Sequence, residues 1–91
     1  MMTPAQRQFL ETTRKLLDNL DDALIDLLAH RAEVVDDLWR WKQTQALEVR
    51  DPAREAEVLE RLVKRAVAKG LDAQAVRAVL ATVIGRRLKG P

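Results

Sequence analysis

A long uninterrupted helical pattern constrains this chain more than any other feature. From Pro4 to Thr44 there is no glycine and no internal proline, so no residue in this run breaks a helix. The spacing of the apolar residues alternates between three and four, which is typical of one face of an α-helix. They are Leu17, Leu20, Leu24, Leu27, Val34, Leu38 and Trp41. The sequence therefore predicts one long amphipathic helix.

Two shorter helices follow. Asp51 and Pro52 have the form of an N-cap with proline at the first helical position, and this second helix is predicted to end at Gly70. Asp72 caps a third helix, which leads into the tail "GRRLKGP". With no strand pattern and no linker, residues 1–91 are predicted to form a single all-α domain.

The length of the first helix predicts an oligomer. A helix of about 40 residues is about 60 Å long, whereas a compact domain of this size has a radius of gyration of about 12 Å. The first helix must therefore project beyond the two shorter helices, and the apolar stripe continues along the projecting part. A second copy related by a two-fold axis is the simplest partner that would bury this stripe. We therefore expect an intertwined homodimer. The alternative is a monomer whose first helix folds back near His30, but the sequence carries no signal for such a break.

Composition excludes several classes of function. The chain has no cysteine, serine or tyrosine and one histidine, which leaves little for nucleophilic catalysis and no metal site. We expect no cofactor. There is no apolar run of membrane-spanning length and no signal-peptide pattern, so we expect a cytoplasmic protein without membrane contact. Because acidic and basic residues alternate around a net charge of +2, nucleic acid is not an expected partner.

Several cations are candidates for binding a small anion. Arg31 interrupts the apolar stripe, where a guanidinium is costly unless a partner satisfies it. Lys42 lies about three helical turns further along the same face, with its Cα about 16 Å away. Arg14 is about 25 Å before Arg31 and a quarter turn away, so it is expected to reach that ligand only from the partner in an antiparallel dimer. The ordinary alternative is that these cations lie at the surface in weak ion pairs.

The start of the second helix adds three more candidates. In "VRDPAREAE", Arg54 and Glu55 lie in the first turn after Asp51. Asp51 and Glu55 are also explained by capping and by the helix dipole. Arg54 is not, because a cation there opposes the dipole, and an anion nearby would account for it.

These residues resemble a known family. The segment "TRKLLDNLDDALIDLLAHRAEVVDDLWRWK", then "DPARE" and "GLDAQAVRAVL", are similar to the all-helical AroQ-type chorismate mutases over residues 13–84. Several charged positions keep the family's register across the three helices. The resemblance implies the intertwined dimer of the chorismate mutase type II fold and an isomerase that rearranges chorismate to prephenate in aromatic amino-acid biosynthesis. That reaction requires no nucleophile and no cofactor.

The resemblance also implies a role for each site residue. Arg31 and Arg54, with Arg14 from the partner subunit, would bind the two substrate carboxylates. Lys42 would donate to the ether oxygen, where negative charge develops. Asp51 and Glu55 would orient the ring hydroxyl and the arginines. The catalytic residues would thus be Lys42, Arg31 and Arg14.

The C-terminus departs from the family pattern. The last helix of the family usually carries a polar residue and, one turn later, a glutamine or glutamate that donates to the ether oxygen. In this register those positions are Arg87 and Pro91, so either Arg87 or Lys89 replaces the donor or the isolated protein is slow. The tail also resembles a subgroup that is activated by docking onto the first enzyme of the shikimate pathway, although residues 42–51 do not follow that subgroup.

Other functions remain open. An isochorismate pyruvate lyase or a 4-amino-4-deoxychorismate mutase would use most of the same residues. A weakly active or non-catalytic helical dimer that binds a partner protein would keep the scaffold without the donor. Turnover separates this last reading from the enzymes, and the product separates the enzymes from each other.

Overall fold

The computed structural model describes all residues 1–91 and contains three helices and no strand. Helix α1 is Pro4–Thr44, α2 is Pro52–Ala68 and α3 is Ala73–Val83. The prediction of an all-α chain with one very long first helix is confirmed. None of the three helices has an apolar stretch of the length and hydropathy needed to cross a lipid bilayer.

The backbone divides into two compact units, residues 1–31 and residues 32–91. The first unit is formed by the N-terminal part of α1. Its start is a reciprocal capping box, in which the Gln6 amide donates to Thr3 Oγ1 at 3.1 Å and the Thr3 amide donates to Gln6 Oε1 at 2.9 Å. With Pro4 at the first helical position, these bonds satisfy free donors at the helix start.

In the second unit, α1 ends in a left-handed turn. Ala46 has a φ of 56°, and the Leu47 amide donates to the Lys42 carbonyl at 2.9 Å. This bond is the one that closes a Schellman motif. The turn reverses the chain and begins the segment that leads to α2.

All four ends of the two shorter helices lie close to their predicted positions. The Asp51 carboxylate accepts from the Arg54 amide at 3.0 Å, and the Asp72 carboxylate accepts from the Ala75 amide at 2.9 Å. Gly70 ends α2 with a φ of +84°. At the fourth end, α3 stops at Val83, and the chain turns at Gly85 into a tail without helical structure.

Helices α2 and α3 pack against each other, and the Arg77 guanidinium joins them by donating to Glu60 Oε1 at 2.5 Å and Oε2 at 3.2 Å. The buried apolar residues of the whole chain are only Ala32, Val63 and Ala66, and no large side chain is fully buried. The predicted apolar stripe of α1 is exposed along its length, with 47–67% of each residue accessible. A single chain therefore covers very little of its own apolar surface.

Candidate functional site

Lys42 lies at the end of α1, beside the segment that precedes α2. Its Nζ donates to the Val49 carbonyl at 3.3 Å, and the side chain is half-buried. This is its one hydrogen bond within the chain, so two of its three N–H donors remain for another acceptor. The ammonium is thus anchored in place and still able to bind a ligand.

Asp51 and Arg54 form the first turn of α2. Besides capping the helix, Asp51 lies close enough to Glu55 for the two negative charges to repel each other. Arg54 Nη1 donates to Glu57 Oε1 at 3.0 Å, and both side chains are more than half exposed. Glu57 is the anion that accounts for a cation in this turn. An exposed pair of this kind is weak, so a carboxylate of a ligand can replace it.

Glu55 is half-buried and bound by Arg50, which donates to it from Nε at 3.1 Å and from Nη2. The hydrogen bond from Arg50 lowers the pKa of Glu55 below its usual range against the opposing effect of burial, and the charge of Lys42 also lowers it. Glu55 is therefore a carboxylate at neutral pH. Lys42, Asp51, Arg54 and Glu55 all lie at this junction between α1 and α2.

Gly85 packs directly on the Arg50–Glu55 pair. A Cβ atom at this position would lie 2.5 Å from Glu55 Oε1 and 2.6 Å from Arg50 Nη2. Its φ of +77° is also one that glycine adopts without strain. The start of the C-terminal tail, residues 85–91, is thus held against the first turn of α2.

Arg87 and Lys89 lie in this tail and not on a helix, because α3 ends at Val83. Arg87 and Pro91, which match the polar positions of the family's last helix, therefore lie outside α3 in this chain. Arg87 Nε lies 3.6 Å from Asp36 Oδ1, and Lys89 Nζ lies 3.4 Å from Asp36 Oδ2. Both cations are directed to a carboxylate of α1.

The remaining predicted site residues, Arg14 and Arg31, belong to the unit of residues 1–31. Arg14 is exposed and Arg31 is half-buried, and neither forms an ion pair or a side-chain hydrogen bond within the chain. An unpaired exposed arginine is common. The partial burial of Arg31 is less so, which agrees with its position on the apolar stripe.

A comparison with protein families identifies the fold. The model of the family described as chorismate mutase type II matches residues 13–88, which is most of the chain and includes every predicted site residue. The chain belongs to the chorismate mutase type II family. Its predicted family and its all-α fold are confirmed by this match.

A curated relative agrees with this assignment. The T-protein of Enterobacter agglomerans is 36% identical over 75 residues, which cover 82% of this chain and 20% of that protein. This member of the chorismate mutase type II family thus spans about a fifth of the relative that it matches. No solved structure gave a significant match.

Sequence patterns alone do not identify two residues of this chorismate mutase type II chain, Arg50 and Asp36, as part of the site or its surroundings. Arg50 binds Glu55 across the N-cap, at a separation of five residues that no helical spacing rule pairs. Asp36 forms an i,i+4 pair with Arg40, which in sequence is the pattern of an ordinary surface pair. The contacts of Asp36 with the tail cations Arg87 and Lys89 have no such local spacing.

Proposed function

We propose that this chain catalyses the rearrangement of chorismate to prephenate, with a site centred on the junction between α1 and α2. The observation that carries the proposal is the grouping of Lys42, Asp51, Arg54 and Glu55 at this junction, in a chain of the chorismate mutase type II family. The reaction is unimolecular. Its catalysis requires the protein to bind and orient a dianion. Cations on rigid helices can bind the two carboxylates and fix their orientation.

Carboxylate binding is assigned to arginines. Arg54 exchanges its exposed bond with Glu57 for a charge-assisted bond to one carboxylate of the substrate. Arg31, and Arg14 from a partner subunit, complete the set by analogy with the family pattern. Arg87 is a further candidate, which would have to leave Asp36 to reach a ligand.

Lys42 is assigned to the ether oxygen of the substrate. Negative charge develops on this oxygen as its bond to carbon breaks, and a fixed ammonium stabilises that charge without reorganisation. Its bond to the Val49 carbonyl supports this role because it orients Nζ and leaves two donors. Glu55 and Asp51 then orient the ring hydroxyl and the neighbouring cations.

We propose further that the active form is a homodimer. The exposed stripe of α1 and the three small residues of the buried core support this proposal, because apolar surface of this extent is normally covered by a partner. A two-fold axis through the stripe gives each helix the same partner surface. Dependence on an activating enzyme of the shikimate pathway and a cytoplasmic location remain predictions from the sequence.

The test is to identify products by chromatography after incubating the purified protein with chorismate, isochorismate and 4-amino-4-deoxychorismate in parallel. Prephenate formed from chorismate, faster than without protein, is the expected result. Salicylate and pyruvate from isochorismate would assign the lyase function instead. If none of the three compounds is consumed, the proposed activity of the isolated chain is wrong.

A further inference from the structure

Asp36 is the one buried charged residue of the chain, with 7% of its surface accessible. It lies on α1, one turn after the buried Ala32. A carboxylate in such a position is costly unless it is paired and hydrogen-bonded. The neighbours of Asp36 must therefore explain why it is there.

Three cations surround this carboxylate. Arg40, one turn further along α1, lies 2.8 Å away, and Arg87 and Lys89 approach it from the C-terminal tail at 3.6 Å and 3.4 Å. Burial raises the pKa of Asp36, but the charges of Arg40, Lys89 and Arg87, with a hydrogen bond from Lys89, outweigh it and leave the pKa below its usual range. The group is ionised at neutral pH.

The tail has few other attachments. Residues 85–91 form no backbone–backbone hydrogen bond, so packing and side-chain contacts hold this segment in place. It is attached at two points, by Gly85 on the Arg50–Glu55 pair and by Arg87 and Lys89 at Asp36. Loss of the second attachment would remove the ion pairs that connect residues 87–89 to α1.

We propose that Asp36 is a positioning residue, which fastens the C-terminal tail to α1 and so holds Gly85 on the Arg50–Glu55 pair of the site. This inference rests on the proposed function, because the group it positions is Glu55. Arg40, at 2.8 Å, is by itself close enough to compensate the charge of Asp36, without any cation of the tail. The contacts to two tail cations are therefore more than charge compensation requires, and they connect segments 51 and 53 residues apart in sequence.

The experiment compares Asp36→Asn, which removes the charge and keeps the shape, with Asp36→Glu, which keeps the charge. Lys89→Gln removes one tail contact and serves as a second variant if Asp36→Asn fails to fold. Arg40→Gln is the matched control, because it removes a partner of Asp36 without touching the tail. NMR relaxation of the amides of residues 86–91, NMR titration of the Glu55 carboxyl group and prephenate formation are measured for each variant.

We expect Asp36→Asn to make residues 86–91 mobile on the picosecond to nanosecond timescale and, by loosening the Arg50 hydrogen bond that lowers it, to raise the pKa of Glu55. We also expect kcat/KM to fall about tenfold, less than the roughly hundredfold that a displacement of 1 Å can cost. Lys89→Gln should show part of each effect, Asp36→Glu should restore order in the tail, and Arg40→Gln should change neither the tail nor Glu55.

Two results would overturn the proposal. If the tail stays as ordered in Asp36→Asn and Lys89→Gln as in the parent chain, Asp36 does not fasten it. If the tail becomes mobile while the Glu55 titration is unchanged, Asp36 holds the tail but does not position the site. Neither NMR measurement depends on turnover, so a parent chain that consumes no chorismate would refute the proposed function separately.

Discussion

At the scale of single residues, the charged groups of the candidate site differ in how firmly neighbouring residues of the chain hold them. Glu55 is bound by Arg50 and covered by Gly85, whereas Arg54 has an exposed and exchangeable partner. Lys42 is between the two, with one bond to a backbone carbonyl. Groups held in this way are already oriented before a ligand binds, which lowers the entropic cost of reaching the transition state.

Replacing Lys42 tests the assignment of the charge-stabilising donor. For Lys42→Ala we expect kcat to fall about 100-fold or more, since this is the usual cost of removing one preorganised donor, and KM to change much less. Steady-state kinetics of prephenate formation measure both constants. Lys64→Ala, an exposed lysine of α2, is the control. A rise in KM with unchanged kcat would show that Lys42 only binds substrate.

Two glycines with positive φ make a matched pair. Gly70→Ala and Gly85→Ala should both lose about 1–2 kcal/mol of stability to the left-handed backbone. At Gly70 the new Cβ meets nothing within 4 Å, whereas at Gly85 it collides with Glu55 and Arg50. We therefore expect only Gly85→Ala to raise the pKa of Glu55 and to lower activity. Urea unfolding at a fixed protein concentration measures the stability of the two variants, carboxyl NMR measures the pKa of Glu55, and steady-state kinetics measure activity. Equal activities for the two variants would contradict it.

At the scale of helices and their ends, the caps follow from short sequence signals. Thr3 with Gln6, Asp51 with Pro52, and Asp72 satisfy backbone donors at the three helix starts. A cap depends on a few adjacent residues, which is why these starts were readable from sequence.

Asp51 and Asp72 have the same capping role, and only Asp51 is proposed to serve the site. Asp51→Ala and Asp72→Ala should each cost about 1 kcal/mol of stability. We expect a loss of activity beyond that of Asp72→Ala only in Asp51→Ala. Unfolding in urea and the rate of prephenate formation are compared at a concentration where both variants are folded. If both variants lose activity equally, Asp51 acts as a cap alone.

The Glu60–Arg77 pair makes the packing of α2 on α3 sensitive to acid. The hydrogen bond from Arg77, then its charge, lowers the pKa of Glu60 in the folded chain. The unfolded chain therefore takes up this proton at a higher pH, so the stabilisation is present above the ordinary pKa, about 4.3, and is lost as pH falls through the folded value.

We expect Glu60→Gln to be less stable than the parent chain at pH 7, and this difference to shrink from neutral pH downward as pH falls through the lowered folded-state pKa of Glu60. Unfolding midpoints in urea across this range check the expectation. Arg77→Gln should cause the same loss at neutral pH, and combining it with Glu60→Gln should add little. A stability difference between Glu60→Gln and the parent chain that does not shrink as pH falls would show that the ion pair does not cause it.

At the scale of the whole molecule, the dominant fact is how little one chain buries. Its core consists of Ala32, Val63 and Ala66, while the stripe of α1 and several apolar residues of α2 and α3 are exposed. A core of this size rarely stabilises a small domain by itself. The stability of this protein is therefore expected to depend on its concentration, as in an obligate dimer.

A shared site predicts rescue between defective chains. Arg14→Ala and Lys42→Ala are each expected to have little activity alone. Mixed one to one after unfolding and refolding, they should regain about a quarter of the parent activity, because half of the dimers are mixed and each has one intact site. Arg31→Ala mixed with Lys42→Ala is the control, since both groups are assigned to the same chain and should not complement. No rescue in dimers confirmed to be mixed would place Arg14 outside the partner's site.

Much of the fold was predictable because its signals are local. The run without glycine or proline predicted α1, and Asp51, Gly70 and Asp72 predicted three ends of the shorter helices. The order of the site residues at the junction between α1 and α2 also followed, since it depends on one cap and one short connection. The binding of Glu55 by Arg50 did not follow, because side chains five residues apart have no fixed relation until the cap places them.

By itself the sequence determined the helices, their caps, the chemical types in the site and the family, since each rests on periodicity, on adjacent residues or on a pattern of residue types. Only the tertiary structure decided what the tail binds. Arg87 and Lys89 bind Asp36, more than 50 residues earlier. No local spacing encodes such a contact, because charge and burial determine it only after the helices have packed.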